Sequence, residues 1–418
     1  MTSTAQSSPV RLRRLYLASG LLGNAAEWAD LAAIAVLAPI LGRLFFGGGD
    51  EGGTAGTVFA ALAGGFLLRF VGAMLYGHVA DRSPLKGPLL LSAAAIAVVS
   101  LCFALLPAAA ALGSVAGLLF VGLRLLLGLV TAAEQALYAN VRAALPHGTS
   151  PPLSAMLADA APAAGILAVL GLAVLSGATG PEAEASGLWR VLLFVAPVLA
   201  TGALVLRCLL PRTVWQAEGS LPARPALSAL TSHFSDTLRV GALMAPLAAR
   251  PALIALIGLA VLELGPGGGG RSLSEVLTLA MIWLASAMLC AMGLSAIAST
   301  RGLTATLRTV LLIAAGLALA TLACLVLDLP AAVLFGIALL PALAATDPLL
   351  PWRACVAAPD RTLVSSLAIG QALVFAPAGL LLPFLAHPGA LTRGVSEALA
   401  GGIVVVLLLA LAAIRPRR

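Results

Sequence analysis

Apolar runs of about 18 to 25 residues recur along the whole chain, each long enough to cross a hydrocarbon core about 30 Å thick at about 1.5 Å per residue. A water-soluble surface cannot cover them. Of the residues, 61% are hydrophobic and only 10% charged, against about 45 to 50% and about 25% in an ordinary soluble domain. Cut at Gly/Pro clusters and charges, the apolar segments fall at 15–46, 56–79, 88–109, 112–142, 152–178, 188–210, 247–265, 273–297, 306–328, 330–350, 363–386 and 395–414, twelve in all. The seventh is marginal in length before its exit "GPGGGG", and a start further back, near Val240, is the alternative. The first ten residues are polar, and the run that follows is too long and lacks a small-residue cleavage site, so the first helix is read as retained. The expectation is an all-α membrane protein with the lipid bilayer as its surroundings.

Basic residues set the orientation, because Lys and Arg collect in cytoplasmic loops. With both termini inside, every basic residue falls on the cytoplasmic side except Arg43, Arg190, Arg271 and Arg393 in outer segments and Arg69 and Arg124 within spans. The outer loops "GGGDEGG" and "GPEAEASG" lean acidic. The net charge of +7 is thereby explained as positive-inside bias, which leaves nucleic-acid binding without support. The longest cytoplasmic connection separates six spans from six and divides the chain into a bundle at 1–210, a linker at 211–240 and a second bundle at 241–418. Such an arrangement suits transporters built from repeats.

Hydrophobicity does not account for five ionised side chains. Glu27 and Asp30 share neighbouring parts of one helical face in the first span. Arg69 lies in the second span, and Arg124 and Glu134 in the fourth. Each costs about 2.5 to 3.5 kcal/mol at a helix centre on insertion scales, so each persists only beside a partner or a water-filled cavity. The economical arrangement sets Asp30 against Arg69 or Arg124, with Glu27 or Glu134 within reach of the other, around a wet cleft at mid-depth. Burial favours a protonated carboxyl and a neighbouring Arg favours the carboxylate, a balance suited to proton coupling. Fixed struts between helices are the other reading of these charges. Asp159 lies near the start of the fifth span, where it can snorkel. The second half offers Ser286, Ser365, Ser366 and Gln371 as its mid-span polar groups.

Other chemistries find little support. The five cysteines are scattered, with no C-x-x-C and no nearby His at metal spacing, so neither disulfides nor a metal site is expected. The glycine-rich stretches lack the Lys-Ser/Thr of a P-loop. His78, His147, His233 and His387 map to loops or helix ends, and no embedded catalytic set is visible. No cofactor and no enzymatic activity are expected.

Three stretches carry a resemblance. "GNAAEWAD" (Gly23 to Asp30), "RFVGAMLYGHVADRSPLKG" (Arg69 to Gly87) and "RLLLGLVTAAEQ" (Arg124 to Gln135) resemble, in order, spacing and span, signatures of the metabolite:proton symporter branch of the major facilitator superfamily. "PWRACVAAPDRTLVSSLAIG" resembles more loosely the family's segment between spans ten and eleven, with Arg361 as its basic residue. The resemblance implies the major facilitator fold, twelve transmembrane helices in two six-helix bundles, in a bacterial plasma (inner) membrane. The loop after the second span, with Gly77, Asp81, Arg82 and Lys86, is then a gating loop. Gly77 allows close helix approach, Asp81 can pair with a neighbouring helix end or an Arg, and Arg82 and Lys86 pin the loop. Its counterpart after span eight is "AIASTRG", with Thr300 and Arg301. Ala29, Leu31, Leu127, Pro84, Leu85 and Thr300 depart from the family pattern.

The function implied is alternating-access symport of a small organic acid or zwitterion with protons, by a monomer. Arg69 or Arg124 would hold a substrate carboxylate through a charge-assisted bond, with Asn24, Trp28 and Gln371 as further substrate contacts. Asp30 would carry the coupling proton, with Glu27 and Glu134 as additional proton sites. Export of a natural product and a non-transporting sensor on a carrier scaffold are the alternatives.

Overall fold

The computed structural model describes residues 9–47, 51–82, 86–132, 161–179, 181–210, 222–248, 273–329, 349–359, 362–385 and 393–414, with isolated positions between 338 and 346. Every regular element among them is helical. The longer helices are α1 (Pro9–Phe46), α2 (Glu51–Arg82), α3 (Lys86–Ala104), α4 (Val115–Thr131), α5 (Ala161–Ser176), α6 (Val195–Cys208), α7 (Phe234–Met244), α8 (Leu273–Arg301), α9 (Leu303–Val326), α10 (Leu350–Ala357), α11 (Leu363–Leu380) and α12 (Arg393–Ala413). Ala and Leu, the strongest helix formers, dominate them. Breaks fall where the chain supplies a reason, as before Pro107, whose ring disfavours helical backbone at Leu106.

Seven of the described helices are long and apolar enough to cross a membrane, and Val115–Thr131, Ala161–Ser176 and Ala398–Ala413 are shorter apolar helices. The expected seventh and tenth spans lie largely outside the described residues. What is described of the seventh differs from expectation. α7 begins at Phe234, inside the stretch read as linker, and continues into a 3-10 turn at Ala245–Ala248. It buries Thr237, Val240, Gly241, Leu243 and Met244 against its neighbours. This face is only partly apolar, so a hydropathy window places the start of the helix too late.

α1 is the centre of the first half. It packs on α2, α5 and α6, while α3 packs on α4 and α6 and α2 on α4. Its side chains from Ala25 to Ala38 are buried on every side, as expected of a helix apolar all round. In the other half, α7 packs on α10, α11 and α12, and α9 on α8 and α12. Among the described helices, the halves meet chiefly where α2 packs against α11 and α5 against α8. Small residues set the spacing of these contacts. A methyl group at Gly128 would collide with the Gly65 carbonyl, so the backbones of α2 and α4 touch beside Arg124. At the α2–α11 seam a Cβ on Gly77 would lie 2.7 Å from the Ser365 Cα.

Candidate functional site

α1, α2 and α4 converge in the first half and bring Glu27, Asp30, Arg69 and Arg124 into one pocket. All four are buried, none more than 6% exposed. Of the pairings left open by the sequence, the fold selects Asp30 with Arg124 and Glu27 with Arg69. Arg124 meets Asp30 with both terminal nitrogens: Nη1 bonds Oδ2, and Nη2 donates to Oδ1 at 3.2 Å. Nη2 of Arg69 bonds Oε1 of Glu27 and also donates to Oγ1 of Thr131 at 3.0 Å. The Thr131 hydroxyl in turn donates to the Gly128 carbonyl at 3.1 Å. The Nε groups of Arg69 and Arg124 are buried without a hydrogen-bond partner.

Aromatic rings cover both guanidiniums. Arg124 stacks on Phe103 of α3, 3.8 Å from the ring centre. Arg69 lies 5.4 Å from the centre of Phe66 and 5.3 Å from that of Phe375 on α11. Phe375 meets both Trp28 and Phe66 edge to face at 6.2 Å. Ring faces attract cations, more strongly where water is excluded. The two pairs therefore differ in surroundings: Asp30–Arg124 is enclosed by the first half, whereas Glu27–Arg69 touches the second through Phe375.

Among the described residues, the expected wet cleft is narrow where the four charges meet. The space among the four charges is about 30 Å³, enough for a water but not for a metabolite. Phe66 lines this space, and Phe375 lies against Arg69 beside it. Asn24, Trp28 and Gln371 are buried but do not line the charged pocket. Trp28 instead packs on Phe375, and Gln371 lies one helical turn before Phe375 on α11. Glu134, Asp159 and Arg361 lie outside the described residues. Thr131, Phe66, Phe103 and Phe375 join the site without a signal of polarity or charge strong enough to mark them in the sequence. Thr131 alone is recoverable, since it follows Arg124 by two helical turns and so shares its face.

The last turn of α2 joins the second half through Asp81. The Asp81 carboxylate accepts the amide N–H of Val364 at 2.9 Å and of Ser365 at 3.0 Å. These are unpaired donors of the first turn of α11, so Asp81 caps that helix from a neighbouring element and its charge complements the helix dipole. Arg82 donates to the Ala223 carbonyl at 3.1 Å, and Lys86 to those of Cys208, at 3.0 Å, and Leu210. The counterpart after α8 is built otherwise. Thr300 is exposed and its hydroxyl turns back to the Ile297 carbonyl of its own helix at 3.0 Å.

No protein-family model matches the chain. Curated relatives do. The alpha-ketoglutarate permease of Escherichia coli (strain K12) is 28% identical over 229 residues, 54% of this chain and 53% of that protein. The proline/betaine transporter of Salmonella typhimurium is 29% identical over 103 residues, 25% of this chain and 20% of that protein. The chain thus spans about half the length of the first relative and a fifth of the second. Among solved structures, a proton:xylose symporter of the major facilitator superfamily aligns with a TM-score of 0.72 at 13% identity, covering 96% of this chain and 94% of that one. The outward-facing major facilitator transporter FucP aligns at 0.63 with 16% identity, covering 98% and 100%. These similarities are to transporters, none of them an enzyme. The chain thus has the fold of the major facilitator transporters and, over about half its length, is similar in sequence to curated permeases.

Proposed function

We propose that the chain is a proton-coupled secondary transporter of a small organic acid or zwitterionic metabolite. It works by alternating access in a bacterial inner membrane, with both termini cytoplasmic. The observation that carries this reading is the pair of buried, oppositely charged couples in one pocket, Glu27–Arg69 and Asp30–Arg124. Charges this deep are expensive and mark substrate or ion pathways in membrane helices.

The different surroundings of the couples support a division of labour. Arg69 faces the second half, so a substrate carboxylate can reach it once Phe375 withdraws, and Glu27 is the partner it exchanges. Asp30 lies behind, held by Arg124, and takes the coupling proton. The halves, 1–210 and 241–418, rock about this site and part at the α2–α11 and α5–α8 seams. Asp81, which caps α11 from the end of α2, is the latch that must open on the cytoplasmic side, while Arg82 and Lys86 pin that end to the linker and to the end of α6. Names of the curated relatives, a ketoglutarate permease and proline/betaine transporters, agree with a small carboxylate-bearing cargo.

The test is counterflow in proteoliposomes with a panel of labelled organic acids and zwitterions, repeated with an imposed proton gradient. Asp30→Asn should abolish proton-driven accumulation and leave exchange. Accumulation equal to that of the unaltered protein would overturn the role of Asp30, and tight binding without flux would favour a sensor.

A further inference from the structure

Away from the ion pairs, a groove of about 900 Å³ opens on the outer flank of the first half. It lies between α2 and α3, which share α4 as a neighbour but otherwise pack apart: α2 against α1 and α11, and α3 against α6. Leu75 and Val79 of α2, Leu91 of α3 and Leu129 of α4 form its apolar walls, and Tyr76 and Lys86 are its polar groups. Leu75, Val79 and Leu91 are about half exposed or more, so the groove faces the hydrocarbon and not the interior.

We propose that this groove binds one phospholipid with an anionic headgroup. Its acyl chain would lie between α2 and α3 and its phosphate beside Lys86, in the leaflet that is cytoplasmic in the orientation given above. Apolar walls alone cannot select an occupant inside a bilayer, because lipid tails are as apolar as leucine. Selection therefore falls to the headgroup. Among the described lining residues Lys86 is the one cation and there is no carboxylate. Its ammonium donates to the carbonyls of Cys208 and Leu210. Both acceptors are neutral, so the positive charge and the third of its donors are left for another partner. The Tyr76 phenol adds a hydrogen-bonding group of the kind that sits at headgroup level.

The position gives such a lipid an effect on the gate. Leu75 and Val79 flank Gly77 on α2, the residue that meets Ser365 across the seam, and Asp81 follows less than a turn after Val79. A lipid seated against Leu75 and Val79 supports α2 from the side opposite the seam.

The experiment is native mass spectrometry of the full-length protein released from detergent. Phosphatidylglycerol and phosphatidylethanolamine with the same acyl chains are added in equal amounts. The unaltered protein should retain phosphatidylglycerol about five-fold better, the preference expected of one lysine near an anionic headgroup. Lys86→Gln should bring the two lipids to parity, and Lys86→Arg should keep the preference. Gly87→Phe should lose both lipids, because Gly87 lines the groove and a Cβ there has no heavy atom within 4 Å. Unchanged thermal unfolding of each variant in lipid-free detergent shows that it folds. Equal retention of the two lipids by the unaltered protein would overturn the proposal, as would undiminished retention by Gly87→Phe. A preference that survives Lys86→Gln would do the same.

Discussion

The guanidinium of Arg69 lies 5.3 Å from the centre of the Phe375 ring, so the first half meets the second directly over a buried ion pair. The same two helices are joined again where Asp81 of α2 caps the amides of Val364 and Ser365 at the start of α11. Arg69 and Asp81 are about 18 Å apart along α2 at about 1.5 Å per residue. Parting the seam at either point loads the other, which ties the cover on Arg69 to the latch at the helix end.

Replacing Asp30 with Asn leaves the Arg124 charge buried and unmatched. Breaking a buried pair from one side costs about 3 to 5 kcal/mol, whereas removing both charges is often tolerated. Asp30→Asn should therefore lower the unfolding temperature in detergent, and the double variant Asp30→Asn, Arg124→Gln should recover most of the loss. Equal destabilisation by the single and double variants would show that the pair does not act as a unit.

Phe375→Leu keeps an apolar side chain over Arg69 but removes the ring face, which is worth about 0.5 to 2 kcal/mol to a cation. The closed seam should loosen. A cysteine placed on α11 beyond Phe375 should react faster with a water-soluble maleimide than in the unaltered protein, and Phe375→Tyr should restore the slower rate.

Asp81→Asn keeps one acceptor oxygen in place of two and removes the charge that complements the α11 dipole. Loss of a cap of this kind costs about 0.5 to 2 kcal/mol. Spin labels on the ends of α2 and α11 should report a larger fraction of separated halves by pulsed electron resonance, and Asp81→Ala a larger fraction still.

Gly77→Val tests the seam by volume alone. With the Ser365 Cα 2.7 Å from any Cβ at this position, the helices cannot close without moving backbone. Overpacking costs about 1 to 3 kcal/mol. The variant should fold, show the separated label distances and transport at about a tenth of the normal rate or less. Normal transport by this variant would mean that closure of α2 on α11 is dispensable.

The charged core is legible in the sequence because an ionised group in an apolar helix has to find a partner. Which carboxylate takes which arginine is not. Glu27 and Asp30 lie three residues apart, and only the register of three packed helices decides that Asp30 reaches Arg124 and Glu27 reaches Arg69. Phe66, Phe103 and Phe375 are silent because a phenylalanine in an apolar span reads the same whether it faces lipid or a guanidinium. Asn24 and Gln371 stand out by polarity alone, and packing sends them elsewhere than the charged pocket. The early start of α7 escapes because its buried face includes Thr237 and Gly241, which lower the hydropathy on which the span is judged.

The two ion pairs have an electrical consequence. Two carboxylates and two guanidiniums sum to zero, and the voltage across a membrane does about 2.3 kcal/mol of work per elementary charge per 100 mV. Moving these two couples through the field therefore takes none of that work, so among the described residues the buried mid-span charges add nothing to the electrical cost of the return stroke.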